Sequence, residues 1–189
     1  MAIIIKETPI EGVFSIQPHM YRDQRGLYEK HYEAWAYREA GLNVEFTESS
    51  DLYSVKGAVR GLHYQSRYSQ AKLVRVIYGA VYDVALDLRP HSKTFGKHYA
   101  ALLKADDHKA LYIPEGFAHG FISLTDETIF SYQCSGKYAP EYCGGILWND
   151  PELGICWPLG EYGIDNVICT EKDRGWPTFR EYCRGVNIV

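Results

Sequence analysis

The sequence predicts a mainly β protein, a sandwich or barrel, on three observations. Short runs of β-branched, aromatic and alternating residues recur roughly every ten residues from Val44 onward, with turn signals between them. Aromatic residues make up 14% of the chain, and 16 tyrosines suit half-buried strands. Only one stretch, 33–40, has the composition of a clear helix.

In chain order, residues 1–20 read as extended segments broken at Pro9 and Pro18, with Ile3-Ile4-Ile5 as an edge strand. Asp23-Gln24-Arg25-Gly26 is a turn, and Leu27–Tyr32 resumes a strand. The helix over 33–40 stops at Gly41. Ser54–Gly57 is a turn that leads into the stretch Gly57–Gly79, which holds an Arg, a His, a Gln and a Lys among apolar residues. Neighbours in a strand point to opposite faces, so His63 and Gln65 share one face while Leu62 and Tyr64 take the other. Tyr78-Gly79-Ala80 is expected to be a hairpin turn. Val81–Leu88 alternates, with Val81, Asp83, Ala85 and Asp87 on one face. Strands at Tyr99–Leu103, Leu111–Ile113, Phe117–Phe121 and Thr128–Cys134 follow. After Pro140 the chain turns rich in Gly, Pro and Trp and reads as a tail wrapping the core. There Thr170–Asp173 is expected to be loop, and a short helix is expected at Pro177–Tyr182.

A chain of 189 residues fits one domain, 1–189. The net charge of −4 supplies no drive toward nucleic acid or membranes, and no apolar run reaches the roughly 20 residues of a membrane span. The N-terminus lacks a signal-peptide pattern. Five cysteines, an odd number without CxxC, fit reduced thiols in a cytoplasmic protein.

Two segments have the layout of a cupin jelly roll. His63-x-Gln65 sits where the first cupin motif puts metal ligands, and Pro114-x-Gly116-x-x-His119 matches the second. With Gln65 in place of a second His and no Glu before Gly79, the donors are too few for a good Zn or Fe site, so no metal is expected. The alternative is metal-free acid–base chemistry. His63 can abstract a proton near neutral pH if a carboxylate orients it. Lys72 can hold negative charge on an oxygen, and a tyrosine can return the proton. Bland readings stand beside these: a satisfied core histidine, a snorkelling Lys72, packing tyrosines at Tyr132 and Tyr138, and surface ion pairs at Arg25 and Arg60.

Several motifs together are more specific. Asp23-x-Arg25-Gly26, Arg60-Gly61-Leu62-His63-Tyr64-Gln65, Gln70-Ala71-Lys72-Leu73-Val74 and Asp83-Val84-Ala85-Leu86-Asp87-Leu88-Arg89 come first. Ser92-x-Thr94-Phe95-Gly96, Tyr112–Phe121, Trp148-Asn149-Asp150-Pro151 and Lys172-Asp173 follow. In this order, over nearly the whole chain, the sequence resembles the dTDP-4-dehydrorhamnose 3,5-epimerases. The resemblance implies a cupin-type jelly-roll β-sandwich with a few short peripheral helices. It also implies a homodimer, no metal or organic cofactor, and a nucleoside-diphosphate 4-keto-6-deoxyhexose as substrate. It makes His63 the base, Asp173 its orienting carboxylate, Tyr132 the acid on the opposite face and Lys72 the stabiliser of the enolate. It gives His119 and Lys172 to the substrate, Arg25 and Arg60 to the diphosphate, and Tyr138 to the base of the nucleotide. Gln65 falls within the same motif set.

The chain departs from the family pattern at three places. Lys30 stands where the family has Glu, with Glu29 adjacent. The family's Gln-x-Asn appears as Glu48-Ser49-Ser50, and Cys143 replaces a Glu. The expectation is a retained reaction type on an altered substrate, whether another base, another 4-keto sugar, or inversion at one carbon. Alternatives are a single-centre epimerase or isomerase, and a non-catalytic nucleotide-sugar-binding cupin.

Overall fold

The structure is a computed structural model and describes residues 3–186. Its strands are β1 (Ile4–Glu7), β2 (Phe14–Gln17), β3 (His19–Asp23), β4 (Gly26–Lys30), β5 (Phe46–Ser54), β6 (Val59–Gln65), β7 (Lys72–Tyr78), β8 (Ala80–Asp87), β9 (His98–Lys104), β10 (Ala110–Ile113), β11 (Phe117–Ser123), β12 (Thr128–Ser135) and β13 (Cys143–Gly145). The helices are α1 (Ala34–Glu39), α2 (Glu171–Arg174) and α3 (Phe179–Gly185). Two antiparallel sheets face each other, one in the order β1-β2-β10-β7-β12-β5 and the other β13-β6-β11-β8-β9, while β3 and β4 form a separate hairpin. This is the expected jelly-roll sandwich, with β1 at an edge.

The core lies between the sheets. Val74, Val76, Val81, Ala85, Leu111, Ile113 and Phe130 are buried there. The alternation along β8 explains why its other face is apolar as well. Val84, Leu86 and Leu88 point outward, but the C-terminal tail covers them with Ile146, Leu153, Trp157 and Phe179. The outer face of the six-stranded sheet is covered in turn by Tyr37 of α1 and by Tyr32, Leu42 and Val44. Tyr37 is fully buried, and its hydroxyl donates to the His31 carbonyl at 2.9 Å. That bond satisfies the one polar atom the ring brings into the core.

Four expectations need correction. Tyr78-Gly79-Ala80 is not a hairpin turn, because β7 and β8 lie in different sheets. Gly79, at φ +79°, is the corner between them, and a Cβ there would meet Thr125 Oγ1 at 2.3 Å. Segment 170–173 is not loop. Thr170 caps α2 by accepting from the Asp173 amide at 3.1 Å. The last helix begins later than expected and runs to Gly185, because Thr178 and Glu181 form a capping box. Strand β4 also ends two residues short, at Lys30. Among the described residues no helix is long and apolar enough to cross a membrane.

Candidate active site

The stretch 57–79 is two strands on opposite sheets, and its polar residues come together across a cavity of about 660 Å³. Phe117, Phe121 and Phe130 belong both to the cavity lining and to the core beneath it. On one side, β6 pairs with β11 so that His63 lies directly opposite His119. That pairing needs glycine: a Cβ on Gly61, at φ +123°, would lie 2.5 Å from Gly120 Cα. On the other side, Lys72 of β7 and Tyr132 and Cys134 of β12 line the facing sheet. Directly opposed residues of an antiparallel pair share a face, so the pairing of Cys134 with Lys72 puts both on the same wall.

His63 is tied to Asp173. Its Nε2 lies 2.6 Å from Asp173 Oδ1, with the imidazole 42% exposed and the carboxylate 6%. An ionised carboxylate only accepts, so it takes the proton of Nε2 and leaves Nδ1 with the lone pair. Burial pushes the His63 imidazole below its ordinary value, and Asp173 opposes that shift. Trp176 donates from Nε1 to the same Asp173 oxygen at 3.0 Å and meets His63 edge-on. Gly145 makes room for that indole, since a Cβ there would approach it to 2.4 Å. Lys172 sits 5.3 Å over the Trp176 ring. Sequence reasoning missed Trp176, because nothing in its spacing shows that the tail returns across β6.

His119 repeats the pattern in a more buried setting. Its Nε2 lies 2.8 Å from Asp83 Oδ2, and it stacks on Phe130. The other Asp83 oxygen is buried without a hydrogen-bond partner. The Lys72 ammonium has no hydrogen bond or ion pair among the described residues, and burial pushes it below its ordinary value, with Cys134 and Asp83 opposing. Burial raises the Tyr132 phenol and takes the Cys134 thiol up to about 11.

The remaining expected residues divide. Glu48, Arg60, Gln65, Tyr138, Cys143 and Lys172 line the cavity. Arg60 also donates to Ser54 Oγ at 3.1 Å and to the Tyr53 carbonyl at 3.2 Å. Gln65 is committed to loops: it donates to the carbonyls of Tyr68 and Lys137 and accepts from the Ala139 amide. Ser50 stands next to Glu48 and hydrogen-bonds it. Arg25, Glu29 and Lys30 lie on the β3–β4 hairpin, outside this cavity. Arg25 pairs with Asp23 at 2.7 Å, Lys30 with Glu33 at 2.9 Å, and Glu29 with His31 and His108. Among the described residues no group of three or more His, Cys, Asp or Glu is placed to hold a metal ion.

A carboxylate-held histidine and a half-buried tyrosine thus face each other across a pocket that Arg60, Lys72 and Lys172 also line, inside a cupin-type jelly roll. The chain belongs to the dTDP-4-dehydrorhamnose 3,5-epimerase family, whose model matches residues 7–181. It is 44% identical over 175 residues to dTDP-4-dehydrorhamnose 3,5-epimerase of Methanothermobacter thermautotrophicus, covering 93% of this chain and 94% of that one. It resembles the crystal structure of dTDP-6-deoxy-D-glucose-3,5-epimerase from Legionella pneumophila, in complex with dTDP-4-keto-L-rhamnose. The TM-score is 0.88, with 38% identity over 94% of this chain and 93% of that one. It also resembles a 3'-monoepimerase from Streptomyces bikiniensis in complex with dTDP-quinovose. There the TM-score is 0.84, with 30% identity over 97% of this chain and 91% of that one.

Proposed function

We propose that the chain inverts C3 and C5 of a dTDP-linked 4-keto-6-deoxyhexose by proton transfer between His63 and Tyr132. The observation that carries this reading is their placement on facing walls of one cavity, with Asp173 behind the base. A 4-keto group acidifies the hydrogens on C3 and C5. His63 takes one of them on one face, and the ring carbon becomes part of an enolate. Lys72, half-buried and without an ion pair among the described residues, stabilises the negative charge on the C4 oxygen. Tyr132 donates its phenolic proton to the opposite face, and the centre is inverted. A second round treats the other carbon. No electrons leave the sugar. Arg60, Lys172 and His119 hold the substrate, with the guanidinium on the diphosphate, and Tyr138 stacks on the base. Gln65 shapes the rim beside Cys143.

The working unit in this reading is a homodimer. Among the described residues the hairpin β3–β4 pairs only with itself, exposes Tyr21 and Tyr28, and carries Arg25, Glu29 and Lys30 outside the cavity. A second copy gives that apolar surface and those charges a partner.

Solvent deuterium exchange on dTDP-4-dehydro-6-deoxyglucose and a panel of other nucleotide-linked 4-keto sugars tests the chemistry. Deuterium is expected at both C3 and C5, with His63→Ala abolishing it. In Tyr132→Phe, exchange on the His63 face persists while inversion is lost. Likeness to a 3'-monoepimerase and the changed residues Glu48, Ser50 and Cys143 favour a second reading, inversion at one carbon only, in which label enters one position. Binding of every panel member without exchange would overturn both.

A further inference from the structure

The wall that carries Tyr132 holds two acid–base partners of its own. In the pairing of β5 with β12, Ser50 is directly opposite Tyr132 and Glu48 directly opposite Cys134. Such side chains share a face, with Cβ atoms about 4.5–5.5 Å apart. Glu48, Tyr132 and Cys134 line the cavity. The Ser50 hydroxyl donates to Glu48 Oε1 at 3.2 Å, and the strand register sets Ser50 directly across from Tyr132. The three side chains therefore form a row, Glu48–Ser50–Tyr132, at the acid wall.

The row has a direction. An ionised carboxylate offers acceptors only, and a serine has one proton to give. A Ser50 free to turn would donate to a Tyr132 phenolate and favour that charged form. Once its proton is engaged by Glu48, Ser50 can present only lone pairs to the phenol, which must then be the donor. The charge on Glu48 acts in the same sense, since a phenolate beside a carboxylate is disfavoured. An amide at position 48 would impose no direction, because it both donates and accepts.

We propose that Glu48 and Ser50 are positioning residues that hold Tyr132 in its protonated, proton-donating form. The proposal rests on the reading of Tyr132 as the acid of the epimerisation. Other titratable groups also face Tyr132: Cys134 on its own strand, Lys72 on β7, Tyr138 after β12, and His63 and His119 on the opposite sheet. Cys134 stays a neutral thiol near pH 7, its pKa being held up to about 11. Glu48 is the carboxylate among the cavity-lining residues of this wall.

The test is the pH dependence of kcat/KM for inversion. Activity is lost as pH rises through the Tyr132 pKa, because the acid must carry its proton. In Glu48→Gln that alkaline limb should move to lower pH by about one unit. Ser50→Thr, which keeps the hydroxyl, should leave the limb near its wild-type position. In a Ser50→Ala background, Glu48→Gln should move it much less, because the two act in series. An unmoved limb in Glu48→Gln overturns the proposal. An equal shift with and without Ser50 overturns the row and leaves a bare through-space charge. Tyr132→Phe separates the two levels: if it still inverts like wild type, the acid assignment itself fails, whereas a dead Tyr132→Phe with an unmoved Glu48→Gln limb removes the positioning proposal alone.

Discussion

The two walls of the cavity hold their reactive groups by different means. On the five-stranded wall each histidine has a carboxylate in place, Asp173 at 2.6 Å from His63 and Asp83 at 2.8 Å from His119. On the six-stranded wall Lys72 is half-buried with no ion pair among the described residues, and Tyr132 is placed by strand register beside Ser50. Burial disfavours charge on both sides: it pushes His63 and Lys72 down and Tyr132 up. A base that becomes cationic in mid-reaction needs its counter-charge fixed beforehand. Lys72 has none among the described residues, and in the proposed reaction it gains most from the negative charge that develops on the sugar oxygen. In that reaction the wall that takes up the proton is pre-paired, and the wall that meets the enolate is left for the substrate to complete.

The contrast breaks most visibly at Lys72. Lys72→Met keeps the length of the side chain and removes the charge, so kcat should fall about 10³-fold, the scale of losing a donor to a developing oxyanion. Binding of dTDP should change little, which a titration of the nucleotide alone would read. A loss of nucleotide affinity equal to the loss in kcat would place Lys72 on the diphosphate instead. Asp173→Asn probes the other wall and should cost about 10²-fold in kcat. It also carries a sign. The base must be neutral, so activity falls as pH drops through the His63 pKa. Asp173 raises that pKa against the burial that lowers it. Removing its charge should move the acid limb of the profile to still lower pH. A limb that moved up would show that Asp173 does not act through His63.

Much of this arrangement is written in the sequence, and the remainder has a physical cause. Alternation along Val81–Leu88 is legible although both faces of β8 are covered, because Asp83 and Asp87 fall on one face. The faces of His63 and Leu62 follow from strand period alone. Sheet membership does not: Gly79 reads as a hairpin glycine, and only the crossing of β7 and β8 into different sheets makes it a corner. For the same reason His63 and Lys72, nine positions apart in one polar stretch, fall on facing walls. Helix α2 is too short, at Glu171–Arg174, for any periodicity to show. Its N-cap Thr170 was the available signal, and the capped turn is what sets Asp173 beside His63.

Trp176 marks how far a tail residue tunes the paired wall. Its indole N–H and His63 share one oxygen of Asp173, which leaves the other oxygen out of both bonds. Two donors converging on Oδ1 hold the carboxylate against the imidazole. Trp176→Phe keeps the ring against Gly145 and removes one hydrogen bond to a charged group, for which about tenfold in kcat is the expected scale. The acid limb should move slightly upward, because a carboxylate that loses a donor pulls harder on the His63 proton. Binding of dTDP should stay as in wild type. A fall in nucleotide affinity with kcat intact would instead assign the indole to the substrate, as the 5.3 Å contact of Lys172 with its ring would then suggest.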